Sequence, residues 1–494
     1  MLQLARREFI RTVGSAAVCG LTAGTSWPRG LVADRNGDLD ELTDWLTETP
    51  RDRLLEGIID RTRRGLSFEL LASAITQSAV RNVQPYPDVG FKYHAILAMQ
   101  SVFRASVQLP DQDRWLPLIW AADNFKRSQA IELRDSGWRI PNVLQQSPIS
   151  KARARQRLVS ALDDWDREAA DAAVVSYADV ASADEVFDLM FRYAARDFRA
   201  IGHKAIAACN AHRMLEPMGW ANKESLLRSL TAALQNHGDQ PNPATSPGKA
   251  DRAWHRNRDR VDKLPDDWAG GTVDPSASRD MLEMLRHGSN MEASDRVFAH
   301  LRRGVAPESL WEPILAMSGE LMLRKSGIIS VHANTTAHAM HYAYRTTVNP
   351  QTRALVLLQC ASFIPDFRDL LPERQRNIDI DKLQPLPLDD VSDDPLDEIF
   401  EIISDNRMLA TRKVLSYLQT GGNVDDLIAR ARHFTVYNTM GVHDYKFTEA
   451  LFENAVFVRP PLQARYLASG TLYYNGSKDP QNRVIAKILP MLRG

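Results

Sequence analysis

Three histidines fall within ten residues of one another in the stretch SVHANTTAHAMHYAY: His332, His338 and His341. We expect a loop here that runs into a helix with Asn334 or Thr335 as its N-cap, because a short side-chain oxygen can accept a bond from a free backbone N–H. His338 and His341, three residues apart, would then share one face of that helix. Because neutral imidazole is the commonest protein metal ligand, the stretch predicts a metal site. The alternative is three structural histidines on a half-buried helix.

Three further histidines stand at or near the start of an apolar helix: His94, His203 and His443. The run GHKAIAACNA surrounds His203 with small residues, which permit close helix packing and therefore favour burial. Histidines that are far apart in the chain but alike in local setting can converge on one ion when their helices pack together. We therefore interpret them as one constellation rather than as a local motif.

Lys446 follows His443 by three residues. In a helix that starts at Asp444 it would face inward from the first turn. An ammonium cannot ligate a metal because it has no lone pair, whereas a neutral amine or an N-carboxylated lysine can. The alternative is an ordinary ion pair of Lys446 with Glu449 or Glu453.

The composition excludes several classes of protein. The chain has 494 residues, 25% of them charged and 44% hydrophobic, as in an ordinary soluble globular protein. Its formal net charge of -1 gives no basic surface for nucleic acid, and three cysteines cannot build a disulfide framework. No stretch reaches the roughly 20 apolar residues that a membrane span needs. The nucleophile elbow, the dinucleotide and phosphate loops, the HExxH motif and covalent haem attachment are also absent.

The N-terminus carries a twin-arginine pattern, Arg6-Arg7, followed by a weakly apolar run diluted by Gly, Ser and Thr. That run is too short and too polar to span a bilayer, so we interpret residues 1–33 as a processed export leader that ends at Ala33. The twin-arginine machinery is then a partner of the chain, and the mature protein is periplasmic or extracytoplasmic. Because this route carries folded proteins, often with a cofactor already inserted, it favours a metal or redox protein.

Apolar residues recur at helical spacing through the rest of the chain, and few segments alternate as strands do. We therefore predict a mostly α fold, a multi-helix packed array around a buried histidine-rich centre. Residues 34–494 would form one large helical domain, or two halves (34–235 and 275–494) joined by a polar linker (236–274). That linker is rich in Pro and Gly and is predicted to be a long exposed connection. The segment 182–214 is predicted as one helix, or as two with a break at Gly202.

These residues resemble the questin oxidase-like family. The resemblance rests on a histidine that opens an apolar helix, on a mid-chain Gly-His-Lys, on a His-x-x-Thr-x-x-His-Ala pattern and on a late His-x-x-Lys: Tyr93-His94-Ala95, Gly202-His203-Lys204, His332 to Ala339, and His443 to Lys446. The family is largely helical and includes oxygen-using enzymes that act on polyketide anthraquinones, with a non-haem iron held by histidines and a carboxylated lysine. An export leader departs from the pattern of the fungal members.

By position, the resemblance implies a metal site made of His94, His203, His332, His338 and Lys446. His341 and His443 stand in reserve. The implied cofactor is iron, with manganese, zinc or copper as alternatives.

The first hypothesis is an exported mononuclear non-haem metal oxidoreductase that uses O2 on an aromatic or apolar small molecule. Its candidate pocket-lining residues are Tyr93, Tyr342, Phe434 and Tyr445. A second hypothesis is a metal-dependent hydrolase, in which the ion lowers the pKa of a bound water. A third, from another class, is a helical binding protein without chemistry, whose histidines are structural.

The leader generates the first testable prediction. Replacing Arg6 and Arg7 together by lysine should trap the folded chain in the cytoplasm, because the arginine pair is what the export machinery reads. Fractionation of periplasm and cytoplasm measures the outcome. Unchanged periplasmic recovery of the double variant would show that the pair is not an export signal.

Overall fold

The computed structural model describes residues 36–142, 148–236, 240–388 and 394–493. The predicted leader, residues 1–33, lies outside the described residues. The described chain contains 23 α-helices and no strand, so the prediction of a mostly α fold around a histidine-rich centre is confirmed. The helices are α1 Asn36–Glu48, α2 Arg51–Arg63, α3 Phe68–Asn82, α4 His94–Leu97, α5 Met99–Val107, α6 Leu116–Asp135, α7 Lys151–Asp164, α8 Arg167–Val180, α9 Ala183–Ala194, α10 His203–Met218, α11 Lys223–Leu234, α12 Lys249–Arg258, α13 Pro275–His287, α14 Asn290–Arg302, α15 Glu308–Arg324, α16 Ile328–Thr346, α17 Pro350–Asp369, α18 Pro395–Asp405, α19 Arg407–Gln419, α20 Val424–Tyr437, α21 Val442–Ala455, α22 Leu462–Ser469 and α23 Arg483–Arg493.

A closed ring of helices surrounds the centre. Helix α16 packs against α10 and α21, and α5 packs against the same two helices from the other side. The short helix α4, which precedes α5, also contacts α10. Because α5 and α10 come from the first half of the chain and α16 and α21 from the second, the ring is assembled from helices on both sides of residues 236–274.

Helix α16 begins earlier than its sequence predicts, at Ile328 rather than after Asn334 or Thr335. Neither predicted cap side chain is free to cap. The Thr335 hydroxyl donates to the Val331 carbonyl one turn back, and the Asn334 amide donates to the hydroxyl of Tyr466 at 2.6 Å. Thr335 thus bonds within the helix and Asn334 makes a tertiary contact, so neither caps a helix start and the helix runs through both residues. All three histidines of this stretch therefore lie within one helix.

The break predicted at Gly202 is present, because α9 ends at Ala194 and α10 begins at His203. Gly202 caps α10 with a φ of +79°, a left-handed conformation that glycine adopts without steric cost. A Cβ at this position would overlap the side chain of Thr336 on α16. Glycine is thus needed twice here, once for the turn and once for the close approach of the two helices.

The stretch predicted as an exposed polar connection is partly structured and buried. It contains α12, in which Trp254 is 4% exposed and Asn257 is fully buried. The Asn257 amide donates to the side-chain carbonyl of Gln359 at 2.8 Å, and α12 packs on α17 and α14. The polar composition suggested a connection because α12 buries few apolar side chains. Its inner face is satisfied by hydrogen bonds instead.

A matched pair of glycine variants tests the role of Gly202. Gly421 also has a positive φ, +96°, but no neighbouring atom lies within 4 Å of the place that a Cβ would occupy. Gly421→Ala should therefore lose only the backbone preference, about 1–2 kcal/mol. Gly202→Ala should cost more, about 2–5 kcal/mol, because the Thr336 side chain must also move. Urea unfolding of both variants measures the difference. Equal losses would show that the close approach of α10 and α16 is soft.

Candidate metal centre

Four imidazoles converge at the centre of the helix ring: His94, His203, His332 and His443. One ring nitrogen from each lies within 4.8 Å of the corresponding atoms of the others. The Nε2 atoms of His203 and His332 are 2.9 Å apart, and those of His203 and His94 are 3.3 Å apart. Three of the rings are buried and His443 is partly exposed. Residues from distant parts of the chain therefore share one site.

The four histidines lie near one end of the helix ring. His94 and His203 are the first residues of α4 and α10, and His443 is the second residue of α21. His332 is the fifth residue of α16. Three of the four thus project from a first helical turn, where the direction of the side chain is fixed by the cap and by the packing of the helix start.

Backbone carbonyls fix the tautomer of three of the rings. The Nδ1 atoms of His94, His203 and His332 lie 3.1, 2.7 and 2.7 Å from the carbonyl oxygens of Phe91, Ala200 and Ile328. A carbonyl can only accept, so each Nδ1 must carry the hydrogen and each Nε2 of a neutral ring carries a lone pair. The three lone pairs face one another, and this arrangement is repulsive unless a cation lies between them.

A proton is a poor candidate for that cation. Burial, reinforced by Lys446, lowers the pKa of His203 and of His443 to about 3. Burial also holds the pKa of His94 and of His332 well below the ordinary value, with Lys446 and the neighbouring rings adding to the effect. The rings are therefore neutral at physiological pH, which is the state that ligates a metal.

The nitrogen spacing suits a metal ion. Ligands about 2.0–2.2 Å from one ion lie about 2.8–3.1 Å apart at right angles and about 3.3–3.6 Å apart in a tetrahedron. The observed Nε2 separations of 2.9 and 3.3 Å agree with these values. A four-histidine cluster that could bind a metal ion is thus present, and the donor set is one that Fe, Cu, Ni and Zn accept.

Lys446 lies beside this cluster, close enough to lower the pKa of all four histidines. Its ammonium nitrogen is buried and has no hydrogen-bond partner among the described residues, and burial lowers the pKa of Lys446 to about 7. Two other buried lysines near the site are paired. Lys92 lies 2.8 Å from Glu132, and Lys204 lies 2.5 Å from Asp197. Lys446 is therefore the buried cation near the cluster that lacks a counter-charge.

The two acids predicted as alternative ion-pair partners of Lys446, Glu449 and Glu453, are paired with arginines instead. The Glu449 carboxylate accepts two bonds from Arg432, at 2.8 and 2.9 Å. The Glu453 carboxylate accepts two from Arg213, at 2.8 and 2.5 Å. Because arginine presents a planar fork that matches a carboxylate, it outcompetes an ammonium for both acids.

Two of the predicted or reserve ligands lie outside the cluster. His338 directs Nε2 to the Glu453 carboxylate at 2.9 Å. His341 sits among aromatic rings, with ring centroids 4.8 Å from Trp311 and 4.5 Å from Phe457. The cluster that could hold a metal ion thus contains His443, a reserve ligand, and does not contain His338.

Helix geometry explains the exchange. Six residues separate His332 from His338, which in a continuous helix means about 240° of rotation and about 9 Å of rise. The two rings then point away from each other, whereas a loop before Asn334 would have left them free to meet. On α21 the spacing does bring two groups to the cluster, because His443 and Lys446, at i and i+3, share one face of the helix.

A second polar group, centred on the Glu453 carboxylate, connects the helices further along their axes. A charged residue follows three of the histidines by ten positions: His94 and Arg104, His203 and Arg213, His443 and Glu453. On α16, His338 follows His332 by six positions. The Glu453 carboxylate contacts Arg104 at 2.9 Å as well as Arg213 and His338. Ten residues of α10 or α21 rise about 15 Å, and the six residues from His332 to His338 rise about 9 Å, so these helices run from the histidine cluster towards Glu453.

The four aromatic residues predicted to line a pocket have different surroundings. All four have a defined neighbour. The Tyr93 hydroxyl bonds to Ser229, Tyr342 lies under the Arg213 guanidinium, Phe434 stacks on Phe400, and the Tyr445 ring centroid lies 4.9 Å from that of Trp120. Tyr445 is fully buried, and its hydroxyl has no partner among the described residues.

Comparison with known proteins gives no match: no protein-family model, no curated protein and no solved structure matches this chain. Across the described ranges, no helix combines the length and apolar character needed to cross a bilayer. The fold and site together define an all-α protein with a buried four-histidine centre, and the resemblance to the questin oxidase-like family stays a prediction.

The exchange of His338 for His443 can be tested by metal content. We expect His443→Ala to lower bound metal per chain, because one of four converging nitrogens is lost. His338→Ala should retain the metal, since this ring binds Glu453 instead. Elemental analysis after dialysis against a weak chelator measures both, and circular dichroism checks that both variants are folded. Retention by His443→Ala together with loss by His338→Ala would reverse the assignment.

Proposed function

We propose that this protein is an exported mononuclear non-haem metal oxidoreductase, with iron as its metal, that uses O2 to oxidise an aromatic or apolar small molecule. The observation that supports it best is the convergence of three Nε2 lone pairs from neutral, carbonyl-oriented imidazoles with a fourth ring beside them. The resemblance to the questin oxidase-like family adds the reaction class, and the twin-arginine leader adds the export route.

The residues present fit such an ion. His94, His203, His332 and His443 would hold it, and the Nδ1–H bonds to backbone carbonyls would keep each of the first three rings in its ligating orientation. When bound, iron would supply the activation of O2. The buried position of three of the rings limits the access of water, so the partly exposed side at His443 is the direction from which a substrate would approach.

Lys446 would complete the site as an N-carboxylated lysine. Its neutral amine would attack CO2 to form an N–C bond and release one proton, leaving a carbamate with a single negative charge. Burial favours the neutral amine that this reaction needs, and no carboxylate of the described residues competes for it. The carbamate would give the all-nitrogen cluster an anionic oxygen ligand.

Metal analysis followed by oxygen consumption tests the proposed function. Protein purified with its leader intact should carry about one iron per chain, and O2 uptake should depend on a hydroxylated anthraquinone. His203→Ala, which removes the central ring of the cluster, should abolish both. Bound metal with ester hydrolysis and no O2 uptake would favour the hydrolase instead. Absence of any metal after purification and after reconstitution would leave a binding protein with structural histidines.

The carboxylated lysine has its own test in two variants of one residue. Lys446→Ala should lose metal and regain part of it when acetate or propionate is added, because the cavity admits a replacement carboxylate. Lys446→Met, which fills the same space, should lose metal and show no recovery. Metal content and the ¹³C carbamate signal of protein grown with labelled bicarbonate measure the outcome. Full metal content in both variants without added acid would show that Lys446 is not a ligand.

A further inference from the structure

A cavity of about 550 Å³ opens to solvent between α12, the 3₁₀ turn Val261–Lys263 that follows it, and α14. Three cationic side chains, two carboxylates and one aromatic ring line it: Arg256, Arg260, Lys263, Asp259, Asp295 and Phe298. None of these residues belongs to the histidine cluster or contacts Glu453. Four of the six come from the stretch 236–274, which the sequence predicted to be an exposed connection. The cavity is therefore a second candidate site, separate from the metal centre.

Both carboxylates of the cavity are already paired with arginine. Asp259 contacts the guanidinium of its neighbour Arg258 at 2.9 Å. Asp295 serves two guanidiniums at once, because one of its oxygens contacts Arg256 at 2.8 Å and the other contacts Arg260. One carboxylate between two arginines leaves one positive charge without a counter-charge.

Hydrogen bonds and a ring contact hold Arg260 in place. One terminal nitrogen donates to the side-chain oxygen of Asn257 at 2.6 Å and to the hydroxyl of Ser294 at 3.1 Å. The guanidinium also lies over the Phe298 ring, 4.7 Å from its centroid. This cation is thus positioned before any ligand binds, so its charge is available without a further loss of side-chain entropy.

The electrostatics of Arg260 show that its charge is only partly compensated. Burial lowers the pKa of Arg260 in spite of the Asp295 carboxylate, and the like charge of Arg256 lowers it further. Burial also acts on Arg432, but there the Glu449 carboxylate, with both oxygens on one arginine, outweighs it and raises the pKa. The difference arises because Asp295 divides its two oxygens between two guanidiniums. An additional anion in the cavity would therefore be stabilised.

Two cations of the lining are accessible to a ligand. The Arg256 side chain is 51% exposed, and Lys263, the last residue of the 3₁₀ turn, is exposed and has no ion-pair partner among the described residues. The C-terminal end of α12 carries about half a negative charge, which compensates one of these cations only in part. The cavity thus offers one fixed guanidinium and two cations that can close on a ligand.

We infer that this cavity binds a phosphate group, carried either by a small soluble molecule or by a lipid headgroup. A phosphomonoester carries about 1.5–2 negative charges at pH 7 on three acceptor oxygens, so it can pair with Arg256 and Lys263 together. A carboxylate ligand would bring a single charge and satisfy only one of them. Arginine supplies a planar fork and lysine a point charge, and both are phosphate-binding side chains. The inference goes beyond the proposed function and does not depend on it, because the lining contains none of the clustered histidines.

Calorimetric titration of the full chain, purified in phosphate-free buffer, tests the site with inorganic phosphate as the probe. Binding should be saturable and should weaken about tenfold in Lys263→Ala and in Arg256→Gln, since each variant loses one charged donor. Lys325→Ala is the matched control, because Lys325 is also an exposed lysine without an ion-pair partner among the described residues and lies outside the cavity. It changes the net charge by the same amount and should bind phosphate as the unchanged protein does. Circular dichroism checks the folding of each variant, and Lys263→Ala breaks no ion pair.

Two further ligands distinguish the sources of the phosphate group. Binding of glycerol 3-phosphate without pelleting on vesicles of phosphatidylcholine and phosphatidic acid supports a soluble ligand. Pelleting on these vesicles that Lys263→Ala abolishes supports a lipid headgroup. Equal phosphate affinity of Lys263→Ala and Lys325→Ala would overturn the inference. So would acetate binding as tightly as phosphate, or no saturable phosphate binding in the millimolar range.

Discussion

The fold depends on one constraint, the meeting of four imidazole nitrogens from distant parts of the chain. Nitrogens within 4.8 Å of one another require α4, α10, α16 and α21 to approach one another at one place. The contacts of Glu453 require α5, α10, α16 and α21 to meet again about 9–15 Å further along the helices. These two meeting points, which we call the cluster level and the Glu453 level, together define the direction, spacing and rotation of each helix. The close approach at Gly202 then becomes necessary, because α10 and α16 cannot reach both levels with a side chain between them.

Charge is distributed differently at the two levels. Around Glu453, a single carboxylate accepts hydrogen bonds from Arg213 and His338 and forms an ion pair with Arg104. At the cluster level the histidines are neutral, and Lys446 has no counter-ion among the described residues. Breaking a buried pair leaves an uncompensated charge and is strongly destabilising, so the Glu453 level is built for rigidity. The cluster level retains unsatisfied groups, as expected where a ligand is to bind.

The sequence predicted the helical class, and the local pattern of a histidine at or near the start of an apolar helix singled out His94, His203 and His443 beside the stretch that contains His332. The resemblance placed His338 among the ligands and His443 in reserve. The distance between His332 and His338 depends on where α16 starts, and that start involves a tertiary hydrogen bond of Asn334 that no local pattern reveals. The sequence also could not decide the environment of Lys446. That environment depends on arginines such as Arg213, 240 positions before Glu453, taking the nearby acids.

The direction of the helices bears on the chemistry of Lys446. Helices α10 and α21 begin at the cluster, and a helix N-terminus carries a partial positive charge that disfavours a cation and favours an anion. Four neutral imidazoles bring no negative charge to offset a divalent ion in this position, and the Lys446 ammonium would add repulsion. Converting that ammonium to a carbamate changes the local charge by two units in the favourable direction. One modification would thus remove the unpaired cation, supply an anionic ligand and match the potential of the helix ends.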